Sequence, residues 1–199
     1  MTGGSDSRAR LACVFTECTV QGTGMTNRLE RIDPEKASAE QQKVIARLGE
    51  GRGRIPTPFN IWLHNPNLAA GMEIIGTHVD HSPVLSEAES EVAILSTAVF
   101  WNAPYVIANH RRHALKAGVP EEVVTAIIEK RRPDAGDDRF GLVCDAVCDI
   151  LAGATVDDTR FARYDAVLGR AVIAELLVTV GYFTSISLGM TLHALAPKD

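Results

Sequence analysis

Residues 91–118, EVAILSTAVFWNAPYVIANHRRHALKAG, hold two helix-period apolar stripes on either side of one short Trp-Asn-Ala-Pro break. Residues three and four apart share a helix face. In the second stripe Ala103, Val106, Ile107, His110, Ala114 and Ala117 obey that spacing, while Arg111, Arg112 and Lys116 fall on the other side. In the first, Val92, Leu95 and Val99 form the stripe and Glu91 adjoins it. Asn102 before Ala103-Pro104 reads as an N-cap with proline in the first turn, and Gly118 as the C-terminal glycine. The spacing predicts a helical hairpin that brings a carboxylate and an imidazole together.

Such a pair has the parts for proton transfer. A carboxylate beside apolar surface resists ionisation, which suits general acid–base work. The plainer reading is that a lone histidine on an apolar face is a satisfied core residue. A glutamate near a helix start also serves the helix dipole. Spacing alone leaves both readings open.

The remainder of the chain is helical in pattern. Helices are expected over 40–48, ended by Gly49 and Gly51, and over 60–76 as a pair or a helix kinked at Pro66. Others are expected over 86–101, 103–117, 120–130, 139–152, 157–168 and 170–196. No segment shows convincing period-two alternation, internal repeat or low-complexity tract. The expected fold is all-α in one domain of residues 25–199, long enough for a real core.

The segment resembles the core motif of the carboxymuconolactone decarboxylase and AhpD-like alkylhydroperoxidase superfamily. That motif runs from a glutamate on one helix, through Asn-Cys-x-Tyr-Cys, to a histidine four residues after the second cysteine. Here Glu91, Asn102, Tyr105 and His110 stand at the acid, asparagine, tyrosine and histidine positions. The similarity extends to Arg54-Ile55-Pro56, to Trp62-Leu63-His64-Asn65-Pro66-Asn67-Leu68-Ala69, to Ala117-Gly118-Val119 and to Val180-Gly181-Tyr182-Phe183. It covers about residues 25–196, and the order and spacing of these motifs are more specific than any one of them.

The resemblance implies an AhpD-like helical bundle that forms a homo-oligomer and acts on a small molecule. It implies Glu91 and His110 as catalytic residues, with Tyr105, His113 and His64 in contact with substrate. Ala103 and Val106 stand where the peroxidase branch has its two cysteines. A thiol peroxidase needs a thiolate to attack and usually a resolving thiol beside it. The implied activity is therefore that of the decarboxylase branch: cofactor-free acid–base catalysis on a small organic acid or lactone, with no metal. Peroxidase-type oxidoreductase activity is the alternative, followed by a non-catalytic binding member.

Three other features bear on function. The histidines His64, His78-x-x-His81 and His110-x-x-His113, with Glu91 or Asp80, are a rival ligand set for zinc or iron. Against this, His78 and His81 precede Ser82-Pro83 in what reads as a loop. Cys144 and Cys148 lie one helical turn apart, read best as small buried hydrophobes, and only as a minor alternative as relocated peroxidatic thiols. Four cysteines in 199 residues do not make a secreted disulfide framework.

Charge and hydropathy restrict the partners. A net charge of −5 gives no reason to expect nucleic acid or an anionic membrane. Arg111, Arg112, Lys130, Arg131 and Arg132 read as solvated helix ends. From Leu176 to Ala196 no Asp, Glu, Lys or Arg occurs, a stretch long enough to span a bilayer, yet Thr179, Thr184, Ser185, Ser187, Thr191 and His193 interrupt it. The expectation is a buried helix serving an oligomer interface, where Gly181, Ser185 and Gly189 let another helix approach, and no membrane. Residues 1–24, with Cys13 and Cys18, fit no pattern and read as a disordered extension or an upstream mis-assigned start. LACVF is too short for a secretory signal and Glu17 interrupts it, so the expected location is cytoplasmic.

Overall fold

In the computed structural model, residues 26–134, 139–153 and 155–197 are described. The expectations for residues 1–24, including Cys13 and Cys18, lie outside them. Among the described residues there are nine helices and no strand. They are α1 (Ala39–Arg52), α2 (Phe59–Trp62), α3 (Pro66–Asp80), α4 (Glu87–Phe100), α5 (Pro104–Lys116), α6 (Glu121–Ile128), α7 (Arg139–Ala152), α8 (Asp158–Val167) and α9 (Arg170–Leu192). The fold is all-α.

Local chemistry sets most of these boundaries. Ser38 begins α1 and Ser86 begins α4 with reciprocal capping boxes to Gln41 and Glu89. Asn65 caps α3 and is followed by Pro66, which fits a first turn because it lacks an N–H that would go unpaired there. Asp157 caps α8.

The break between α4 and α5 corrects the sequence reading. Asn102 does not cap α5. It closes α4 in the left-handed region, at φ 48°. Its N–H bonds to the Val99 carbonyl at 3.1 Å, and the Ala103 N–H reaches back to Ala98 at 3.0 Å. This is a Schellman ending, and asparagine tolerates the left-handed conformation nearly as well as glycine. The Asn102 side chain instead accepts from Lys130 Nζ at 3.0 Å. Gly118, at φ 86°, closes α5 in the same way, as expected.

Other boundaries shift for similar reasons. Gly49 and Gly51 do not stop α1, which runs to Arg52 and ends on Gly53 at φ 65°. Helix α9 stops at Leu192 because Ala194 turns left-handed at φ 53°. His78 lies within the last turn of α3, not in a loop, whereas His81 is the non-helical C-cap that ends the helix.

Helix α4 is the centre of the bundle and packs against α5, α6, α7 and α9. It is buried nearly all round rather than along one stripe: Val92, Ala93, Leu95, Thr97 and Ala98 are fully buried. One core cluster joins α4 to α6, α7, α8 and the first half of α9. A second joins α1, α2, α3 and the second half of α9 to the other side of α4 and α5. The Trp101 indole N–H donates to Thr184 Oγ1 at 2.9 Å and ties the end of α4 to α9.

Helix α9 is not buried all round. One side carries Val172, Leu176, Val180, Phe183 and Met190 inward, while Leu177, Val178, Leu188 and Leu192 are exposed. It is the one helix among the described residues long and apolar enough to cross a membrane, and half of its most apolar window lies inside the bundle. Gly189 is approached by Ile61 of the same chain, whose Cδ1 lies 3.1 Å from where a Cβ would stand.

Polar groups pin α7 to the bundle. Arg139 at the start of α7 bonds to Glu89, which also accepts from the Ser86 hydroxyl at 2.7 Å. Burial alone raises the Glu89 pKa, but the Ser86 backbone and hydroxyl and the Arg139 guanidinium outweigh it and hold the carboxyl below its ordinary 4.5. A folded-state pKa below the unfolded one stabilises the fold fully above the unfolded value. That contribution is lost as pH falls through the folded pKa. Glu89→Gln is therefore expected to flatten the acid limb of stability below about pH 5. Urea midpoints across that range, compared with wild type, check this.

Candidate functional site

Glu91 and His110 meet where α4, α5 and α9 converge. The His110 Nδ1 lies 2.8 Å from Glu91 Oε2, and both side chains are largely buried, with 16% and 12% of their surface exposed. A carboxylate can only accept here, so Nδ1–H is the donor and Nε2 is left to take or give a proton. Phe183 from α9 closes the other side, edge-on to the imidazole with ring centroids 5.0 Å apart. Phe183 in turn abuts Tyr182, Tyr182 abuts Trp62, and Trp62 abuts Phe59. An aromatic row thus backs the histidine from α9 to α2.

His113 stands at the open edge. Its ring is 5.2 Å from the His110 ring, and its Nδ1 is 3.8 Å from Glu91 Oε1. More than half of its side chain is exposed, so this side of the pair faces solvent. Partial burial, then the neighbouring His110, Arg112 and Lys116, push the His113 pKa below its ordinary value, against the pull of Glu91. A neutral imidazole at the rim can accept or donate a hydrogen bond.

The other expected contacts stand apart. The Tyr105 hydroxyl donates to Thr57 Oγ1 at 2.9 Å and fastens the start of α5 to the loop before α2. His64 is exposed between α2 and α3. Among the described residues no hydrogen bond or ion pair joins either to Glu91 or His110. Two surface depressions also lie elsewhere: about 240 Å³ beside Ser86, Glu89, Arg139 and Phe140, and about 270 Å³ between α1 and α3.

The wider histidine ligand set does not assemble. His78 Nε2 lies 3.2 Å from Glu175 Oε1 of α9, within ion-pair range but not aligned as a hydrogen bond. His81 donates from Nδ1 to the Thr77 carbonyl at 3.0 Å. Among the described residues, Glu91, His110 and His113 form the one group of three or more His, Cys, Asp or Glu side chains whose ligand atoms all lie within 4.8 Å of one another.

One of the basic residues differs from expectation. Arg132 is no solvated helix end: its Nε donates to both oxygens of the buried Asp145, at 3.0 and 3.1 Å. Arg131 bonds to Glu129, and Arg111 lies 3.8 Å from Glu121, both at the surface.

The cysteine positions are chemically quiet. Ala103 and Val106 are buried at the α4–α5 turn. Burial pushes the Cys144 thiol up to about 12 and the Cys148 thiol up to about 11, and Cys144 Sγ lies 3.4 Å from the Ser96 hydroxyl. Thiols held so far above neutrality carry almost no thiolate.

Sequence reasoning missed Phe183 as the wall of the site. It stands in a helix apolar on every side, where no polar contrast marks which face turns inward. No protein-family model matches this chain, and no curated protein matches it significantly.

Proposed function

We propose that the protein is a cofactor-free acid–base catalyst of the carboxymuconolactone decarboxylase type, acting on a small organic acid or lactone. The observation that carries this reading is the 2.8 Å contact between Glu91 and His110 at the junction of three helices. Loss of carbon dioxide from such a substrate leaves a carbanion that a conjugated carbonyl holds as an enolate. The enzyme must stabilise that charge and protonate one carbon. His110 is the proton donor, through Nε2. Glu91 orients the ring and stabilises the imidazolium that holds the proton to be delivered. His113 meets the substrate at the open edge, and Phe183 keeps water from the back of the imidazole. Related proton transfers, isomerisation or dehydration, use the same parts. The resemblance of residues 25–196 to the AhpD-like bundle supports a homo-oligomer, with the exposed α9 residues Leu177, Leu188 and Leu192 as its apolar contact.

Screening the purified protein against lactone acids and hydroperoxides tests the reading. Turnover of a lactone acid without added cofactor is expected. Turnover of hydroperoxides alone would replace this reading with the peroxidase one.

Thiol-dependent peroxide reduction is expected to be absent, since the motif has no thiol, and on α7 the buried Cys144 and the half-buried Cys148 are both held protonated. Peroxide consumption with a dithiol reductant measures it. Robust turnover abolished by Cys144→Ser with Cys148→Ser would show that α7 carries the chemistry instead.

A further inference from the structure

We propose that Glu91, His110 and His113 also form a binding site for a divalent transition metal of the zinc type, and that bound metal excludes the proton relay. The proposal concerns the same side chains as the acid–base reading, but its test needs neither a substrate nor turnover.

Geometry comes first. Each of the three residues offers one donor atom, and all three atoms lie within 4.8 Å of one another. Two donors each about 2.0–2.2 Å from one tetrahedral ion stand roughly 3.3–3.6 Å apart. The 2.8 Å from His110 Nδ1 to Glu91 Oε2 and the 3.8 Å from His113 Nδ1 to Glu91 Oε1, the two oxygens of one carboxylate, lie on either side of that spacing. His113 has more than half its side chain free in solvent, so a rotation of its ring closes the remaining gap.

Donor type comes next. Two imidazoles and one carboxylate suit zinc, iron, nickel or copper, whereas magnesium and calcium prefer all-oxygen sites. His110 and His113 are three apart on α5 and so project from one face, with Glu91 opposite them on α4. Three protein ligands with an open fourth position facing solvent is the pattern of an exchangeable site, not a closed structural one. Arg112 and Lys116 on the same helix weaken the affinity by repulsion. A cation held by Glu91 and His110 takes the place of the proton they share, so occupancy and proton transfer exclude each other.

The test uses the full chain, untagged and freed of metal by chelation. Titration with zinc chloride by calorimetry should show one saturable site per chain. Cobalt(II) should give the visible bands of a tetrahedral complex. Loss of an outer-shell partner alone costs about 10–100-fold in metal affinity, so His113→Ala and Glu91→Gln should each weaken binding at least about tenfold and abolish the bands. His81→Ala, at the end of α3, should bind as wild type does, and circular dichroism should show every variant folded. Absence of binding by wild type, or unchanged affinity in His113→Ala, would overturn the proposal. Where a substrate is found, turnover by metal-free wild type that does not bind zinc sinks the metal site alone. Zinc binding by wild type, together with full turnover in His110→Gln, sinks the relay alone.

Discussion

His110→Gln is expected to lower turnover by about a hundredfold or more on any substrate the wild type converts, the scale of a positioned general acid or base. Glutamine keeps an N–H that can reach Glu91 Oε2, so the buried carboxylate is not left bare. It has no group that titrates near neutrality, so the proton that Nε2 would deliver is gone. Folding is therefore largely preserved while chemistry is not. Steady-state rates beside thermal melts separate the two, and unchanged turnover would reduce His110 to a core histidine.

Leu95→Ala should be among the most damaging truncations for stability, at about 2–5 kcal/mol. Leu95 is fully buried in α4 and sits in the cluster formed with α6, α7 and α9. Because α4 is packed against four other helices, little of its surroundings can collapse into the space. The same residue lies one turn from Glu91, so partial loosening would also blur the Glu91–His110 geometry. Urea denaturation measures the loss. A change under about 1 kcal/mol would show that the bundle relaxes around α4.

The helices were legible because caps and stripes agree. Gly118 marks the end of α5 by a known hydrogen-bonding need, and the break expected at Pro66 falls where Asn65 caps α3. The meeting of Glu91 and His110 was legible too, since two stripes joined by a tight turn must face one another. Asn102 was misread because asparagine serves both as an N-cap and as a left-handed helix ending. The left-handed backbone of Asn102 and the reach of the Ala103 N–H back to Ala98 distinguish them, and neither is visible in spacing. His78 was placed in a loop because Ser82-Pro83 follows, yet a proline restricts only the residue directly before it. The ion pair of Arg132 and the place of Phe183 at the site escaped notice because their partners, Asp145 and His110, are distant in sequence and no local spacing joins them. Exposure along α9 was hidden by a composition that is apolar on both its buried and its open faces.

The most direct measurement is a double-mutant cycle of His110→Gln and Glu91→Gln, reading kcat on a substrate taken from the screen. Groups that act as one unit are strongly non-additive. If Glu91 and His110 share one proton-transfer task, the double variant should lose little beyond the worse single variant. Additive losses in correctly folded proteins would mean that the two side chains act independently, and would contradict the relay.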